Sequence, residues 1–177
     1  MSGMTRYAAF LRAVNLGSTN KVAMPRLRAM AELLGYTGVR TYINSGNLLF
    51  SASGTDLEVT EALEQAISDE FDLRIDVAVR TEAQLRALLE RNPFPDGEPS
   101  QVTVAFLTRP PPPEAEQRVA ALAGDRDSFV FAGLEVWVNY TEGQGTSKLA
   151  AQFTKAVGVS STVRTVRTVS KVVELFD

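Results

Sequence analysis

The chain has no cysteine and no histidine. Without cysteine there is no disulfide, no thiolate nucleophile and no cysteine-ligated metal. Without histidine the usual general base near neutral pH and the commonest transition-metal ligand are gone. Any chemistry must run on carboxylates, lysines, tyrosines or hydroxyls, and these form no complete catalytic constellation. No catalytic residue, metal ligand or cofactor is assigned. Nor is there an apolar run near the ~18 residues that a membrane helix needs. The opening Met1-Ser2-Gly3-Met4-Thr5-Arg6 shows no basic segment leading into a long apolar stretch, so the expectation is a cytoplasmic protein with no membrane partner.

What is present is ordinary globular material. Of 177 residues, 45% are apolar and 22% charged, enough to bury a core in one domain or two small ones. The net charge is −3 but unevenly spread. Residues 1–50 carry six Lys/Arg against one acid, a balance of +5. Residues 51–100 carry four Arg against twelve acids, −8, and residues 101–177 balance eight against eight. The plain explanation is solvated helix faces of opposite sign. The sharper one is a local anion site in the first third.

Alternation predicts an opening strand over Thr5–Val14, with Tyr7, Ala9, Leu11 and Ala13 on one face and Arg6, Phe10 and Arg12 on the other. A polar loop through Lys21 leads to a helix started by Pro25 and stopped at Gly35. Then follow a strand Val39–Ile43, a turn Asn44-Ser45-Gly46 and a return strand Asn47–Ser51. Thr55-x-x-Glu58 reads as a capping box for a second helix, and a strand Arg74–Arg80 closes the unit. The order is β-α-β-β-α-β.

The second half repeats that order without repeating the letters. Thr81-x-x-Gln84 caps a linking helix, and Val102–Leu107 is a strand with both faces apolar, so its sheet is expected to be covered. The proline run Pro110–Pro113 opens a helix ending at Gly124. A hairpin of Ser128–Ala132 and Glu135–Tyr140 follows. A helix ending at Gly158, a strand near Thr162–Val166 and a C-terminal helix complete the chain. The expected fold is α+β, two tandem ferredoxin-like units with antiparallel sheets backed by helices. Its boundaries are 1–80 for the first unit, 81–98 for a linking helix and loop, and 99–177 for the second. One larger mixed sheet is the alternative.

Several blocks carry a family likeness. Phe10-Leu11-Arg12-Ala13-Val14-Asn15-Leu16-Gly17, Asn20–Met24, Val39–Asn47, Asn92-Pro93-Phe94, Val104–Pro111 and Gly143–Leu149 resemble the bacterial domain-of-unknown-function family 1697. The block Thr41–Asn47 is the most specific. The resemblance implies a tandem ferredoxin-like fold and a cytoplasmic bacterial protein, and it supplies no reaction. The chain departs from the family pattern at Ala13-Val14, where the family has Gly-Ile, and at Arg164-Thr165-Val166, where it has Arg-Asn-Trp.

Three groups of residues could hold an anion. The first is the loop Glu142–Lys148, where glycines could turn successive N–H groups inward at a helix start beside Gly145, Thr146, Ser147 and Lys148. It is not a Walker A sequence, which needs lysine before the hydroxyl. The plain reading is an N-cap by Thr146 or Ser147. The second is Arg12, Asn15 and Lys21 with Asn44, Ser45 and Asn47. The loop after one strand and the turn before another need not share an end, and Asn44–Asn47 is also ordinary turn chemistry. The third is Arg164, Arg167, Thr168 and Lys171, with Thr168 as N-cap and arginines before a helix start. Salt bridges to the acidic middle third explain it as well.

The favoured reading is a protein binding a small phosphate- or carboxylate-bearing ligand. A nucleic-acid module is weaker, because the RRM aromatic consensus is absent. A protein–protein interaction domain is the third, with the oligomeric state left open.

Overall fold

The computed structural model describes residues 3–177. The chain divides into two units, one of residues up to Ala87 together with Lys171–Asp177, the other Leu88–Ser170. The division falls inside α3 (Glu82–Glu90) and inside α6 (Val166–Glu174).

In the first unit β1 (Thr5–Leu11), β2 (Thr37–Tyr42), β3 (Asn47–Ala52) and β4 (Val77–Thr81) form one sheet in the order β2-β3-β1-β4, every pair antiparallel. Tyr7, Ala9 and Leu11 share a core with Leu48, Phe50, Val77 and Val79. Onto it pack α1 (Met24–Leu33), through Leu27, Met30 and Ala31, and α2 (Asp56–Phe71), through Val59, Leu63 and Ile67. Each such Leu or Phe withdrawn from water contributes about 1.5–3 kcal/mol. The opposite sheet face is also dry, since Ala8, Phe10 and Leu49 are buried.

Local signals set the ends of these elements. Pro25 lies in the first turn of α1, where its missing N–H costs nothing. The Thr55–Glu58 capping box is complete in both directions. β1 stops at Leu11, three residues short of the alternation-based boundary, because Ala13 (φ +54°) and Asn15 (φ +55°) turn the chain out of extended geometry.

The second unit repeats the layout. β5 (Val102–Leu107), β6 (Ser128–Ala132), β7 (Glu135–Asn139) and β8 (Ser161–Thr165) run in the order β6-β7-β5-β8, again all antiparallel. With α4 (Ala115–Ala123) and α5 (Lys148–Val157) they enclose Ala105, Leu107, Val119, Val136, Val138, Leu149 and Phe153. α4 begins two residues after Pro113, the start expected from the proline run. The fold is therefore α+β, two β-α-β-β-α-β units with the same permutation of strands.

Candidate functional site

The antiparallel pairing Phe10↔Asn47 puts the end of β1 beside the start of β3, so the loop after β1 and the turn before β3 do share one end of the sheet. Asn15 joins them. Its Nδ2 donates to Asn44 O at 2.7 Å and to Val22 O at 2.8 Å, and its Oδ1 accepts from Val22 N at 2.8 Å. Asn47, fully buried, donates to Tyr42 O at 3.0 Å and to Ser45 Oγ at 3.2 Å. Gly46 has φ +82°, and a Cβ there would lie 2.8 Å from Val14 Cγ2 and 2.9 Å from Leu11 Cβ. Among the described residues, four of the five non-glycine residues with positive φ stand at this end: Ala13, Asn15, Asn20 and Ile43. Asn15 and Asn47 thus spend their amides on the loops themselves. Lys21 is exposed, and the half-buried Arg12 donates its main-chain N–H to Asp76 O at 3.1 Å.

The basic residues of the first third are partly answered by the acidic residues that follow. Arg26 meets Glu70 at 2.9 Å with its guanidinium 4.7 Å over the Phe71 ring, and Arg6 meets Glu82 at 2.6 Å. Arg28 donates to Thr41 Oγ1 at 2.6 Å. Arg40 differs. Register pairs Arg40 with Leu49 and Arg6 with Ser51, placing all four on one sheet face. There they line a cavity of about 120 Å³ with Gly38 and the C-terminal Leu175 and Phe176. Arg6 Nη1 donates to Phe176 O at 2.5 Å, which holds the C-terminal segment on that side. Neither the Arg40 guanidinium nor the Ser51 hydroxyl has a hydrogen-bond or ion-pair partner among the described residues.

In the second unit the Glu142–Lys148 loop is built around a cation, opposite in polarity to the inward N–H groups expected. Arg126 Nη2 donates to Glu142 O at 3.1 Å and Gly143 O at 3.0 Å, and Nη1 to Thr146 O at 3.0 Å. The Thr146 hydroxyl also accepts from Arg126. Two loop amides are used locally, Gly143 N to Tyr140 O and Ser147 N to Gln144 O. Ser147, not Thr146, caps α5: its Oγ accepts from Ala150 N at 3.1 Å and donates to buried Asp127 Oδ2 at 2.7 Å. Burial, then the Asp127 charge, push the Tyr140 phenol up. Gly145 and Lys148 remain exposed.

The third group is dispersed along one strand and helix. Helix α6 starts at Val166, and the cap is Thr165, whose Oγ1 accepts from Thr168 N at 3.2 Å; Thr168 itself sits in the first turn. The Arg167 main-chain N–H donates to Pro99 O at 3.0 Å, and Lys171 Nζ lies 3.3 Å from Glu174 Oε2, a neighbour on its own helix rather than an acid of the middle third. Burial lowers the Arg164 guanidinium to about 10, still a cation at neutral pH. Among the described residues no group of three or more His, Cys, Asp or Glu is placed to hold a metal ion, and no helix is long and apolar enough to cross a membrane.

A family model described as "Protein of unknown function (DUF1697)" matches residues 4–137, three quarters of the chain. The chain belongs to the DUF1697 family. No curated protein matches it. Among solved structures it is similar to the conserved bacterial protein SP0830 from Streptococcus pneumoniae. That likeness has a TM-score of 0.73 at 22% identity, over 99% of this chain and 100% of the other, and is one of fold. The DUF1697 match includes Arg12, Asn15, Lys21, Arg40, Asn44–Asn47 and Arg126, whereas the Gly143–Leu149 block and the β8–α6 residues lie beyond it.

Two residues escaped the sequence reading. Arg40 was legible only as a basic residue on a strand, because its face partners depend on register. Arg126 stands 16 to 20 residues before the atoms it holds, and no local pattern announces that contact.

Proposed function

We propose that this DUF1697 protein binds a small anion, a phosphate- or carboxylate-bearing ligand, in the cavity of the first unit lined by Arg40, Ser51 and Arg6. The observation that carries the reading is the Arg40 guanidinium standing without an acidic partner beside an unengaged Ser51 hydroxyl. Arg40 is exposed, so its guanidinium is open to a ligand; the fork suits carboxylate and phosphate oxygens alike, and the Ser51 hydroxyl adds one donor. The neighbouring Arg6 raises the local potential, although Glu82 offsets part of it. A cytoplasmic setting belongs to the same reading.

The nucleic-acid reading has less support. Phe10, the aromatic that would stack on a base from the central strand, is 0% exposed.

The test is thermal denaturation with phosphate, sulfate and small carboxylates at matched ionic strength, for the native chain, Arg40→Ala and Lys148→Ala. A ligand at ten times Kd adds about 1.4 kcal/mol, a rise of roughly 3–6 °C in Tm for a chain of this size. The native chain and Lys148→Ala should show that rise and Arg40→Ala should lose it. No shift with any anion, or an undiminished shift in Arg40→Ala, removes the proposal.

A further inference from the structure

Among the described residues each sheet ends in two strands with no further strand beside them, β2 and β4 in one and β6 and β8 in the other, and an unpaired edge is a template for another strand unless something blunts it. Three of the four are blunted by an arginine: Arg40 in β2, whose register also shifts between Thr37 and Arg40, Arg80 in β4 and Arg164 in β8. β6 is not. Its sequence is Ser-Phe-Val-Phe-Ala, with no charge, proline, glycine or bulge, and it pairs with β7 in unbroken register over five residues. Ser128, Val130 and Ala132 are exposed, Val130 to 38%.

We propose that β6 is the seam of a homodimer, pairing antiparallel with β6 of a second copy about a two-fold axis through Val130. The four-stranded sheet of the second unit then continues as eight strands. The occupant follows from the sequence of the strand, which reads almost the same in both directions. A two-fold axis at Val130 sets Val130 against its own copy, Phe129 against Phe131, and small Ser128 against small Ala132. Such a seam is isologous and closes on itself. It also brings no charge opposite a like charge, whereas self-pairing of β2, β4 or β8 would draw two arginines into the seam. The acid just before the strand, Asp127, is buried against Ser147 and stays out of the way. Phe129 and Phe131, already edge-to-face at 5.9 Å, would meet their counterparts on the same side. An edge seam buries little area, so the dimer is expected to be weak and concentration-dependent.

Because the chain has no native cysteine, single cysteines report the seam without ambiguity. Directly opposed residues in an antiparallel pair have Cα atoms about 4.5–5.5 Å apart, within disulfide reach. Val130→Cys should therefore give a disulfide-linked dimer on mild oxidation, and Val163→Cys, equally exposed on the β8 edge, should not. Sedimentation equilibrium of the native chain should show a dimer in the micromolar range, lost in Val130→Lys with the circular dichroism spectrum unchanged. A native chain that stays monomeric overturns the proposal. So does a dimer in which Val130→Cys links no faster than Val163→Cys.

Discussion

The side-chain amide of Asn15 donates to the main-chain oxygen of Asn44 at 2.7 Å, tying the loop after β1 to the turn before β3. The same side chain closes two further bonds on Val22, so one residue in left-handed geometry fixes three segments. Asn15→Ala removes all three and leaves Val22 N–H without its partner. The expected cost is about 2–3 kcal/mol, partly from unsatisfied groups and partly because alanine tolerates positive φ less well than asparagine. Urea denaturation should show this loss, and hydrogen exchange should rise in residues 16–22.

Gly46 and Gly17 separate two meanings of a glycine. Both have positive φ, but a Cβ at Gly46 would meet Val14 and Leu11 within 3 Å, whereas at Gly17 it would meet nothing within 4 Å. Gly17→Ala should cost about 1 kcal/mol, the conformational term alone. Gly46→Ala should cost at least 1–2 kcal/mol more, since the contacts are with a core side chain and a Cβ that cannot swing away. Chemical denaturation of both variants checks the difference.

These cases mark how far the sequence could be read. Features closed within a few residues were legible: the Thr55–Glu58 box, the strand Val102–Leu107, and Ser147 as one of two possible caps. The α6 cap slipped from Thr168 to Thr165, because both positions carry the same hydroxyl and only the strand end decides between them. Features that depend on register were not legible. Arg40 faces Ser51 and Leu49, and Asn15 meets Asn44, only once the antiparallel pairings are known. Arg126 was hidden for the same reason. A glycine-rich loop before a helix suggests inward amides, yet a guanidinium arriving from across the hairpin gathers the carbonyls instead.

Arg126 should therefore govern the order of its loop. Arg126→Met removes charge-assisted bonds to three carbonyls and the Thr146 hydroxyl, at an expected cost of about 2 kcal/mol. Arg126→Lys, a point charge without the planar fork, should recover only part of it. Hydrogen exchange over residues 141–147 is the readout, and Lys148→Ala should leave it unchanged.

Glu64 gives a pH-dependent prediction. Burial raises its carboxyl first, with Asp76 and Glu61 adding to the rise and the bond from Val77 N opposing it. With the folded pKa above the unfolded one, its stabilising contribution is full below the unfolded pKa, near 4.3, and is lost as pH rises through the folded value. Ionised Glu64 is thus a small net cost at neutral pH. Glu64→Gln keeps an oxygen for Val77 and should raise Tm slightly at pH 7, since the amide carries no charge to desolvate. Melting curves at pH 4 should show the gap closed.

Whether an anion enters the Arg40 cavity is tested most directly by a ¹⁵N-resolved NMR titration with inorganic phosphate. Phosphate bound there should give saturable shifts at Gly38, Arg40, Leu49 and Ser51, abolished in Arg40→Ala, with Gln144–Lys148 unmoved. Shifts confined to the Gln144–Lys148 loop, or none that saturate at the Arg40 face, would contradict binding in that cavity.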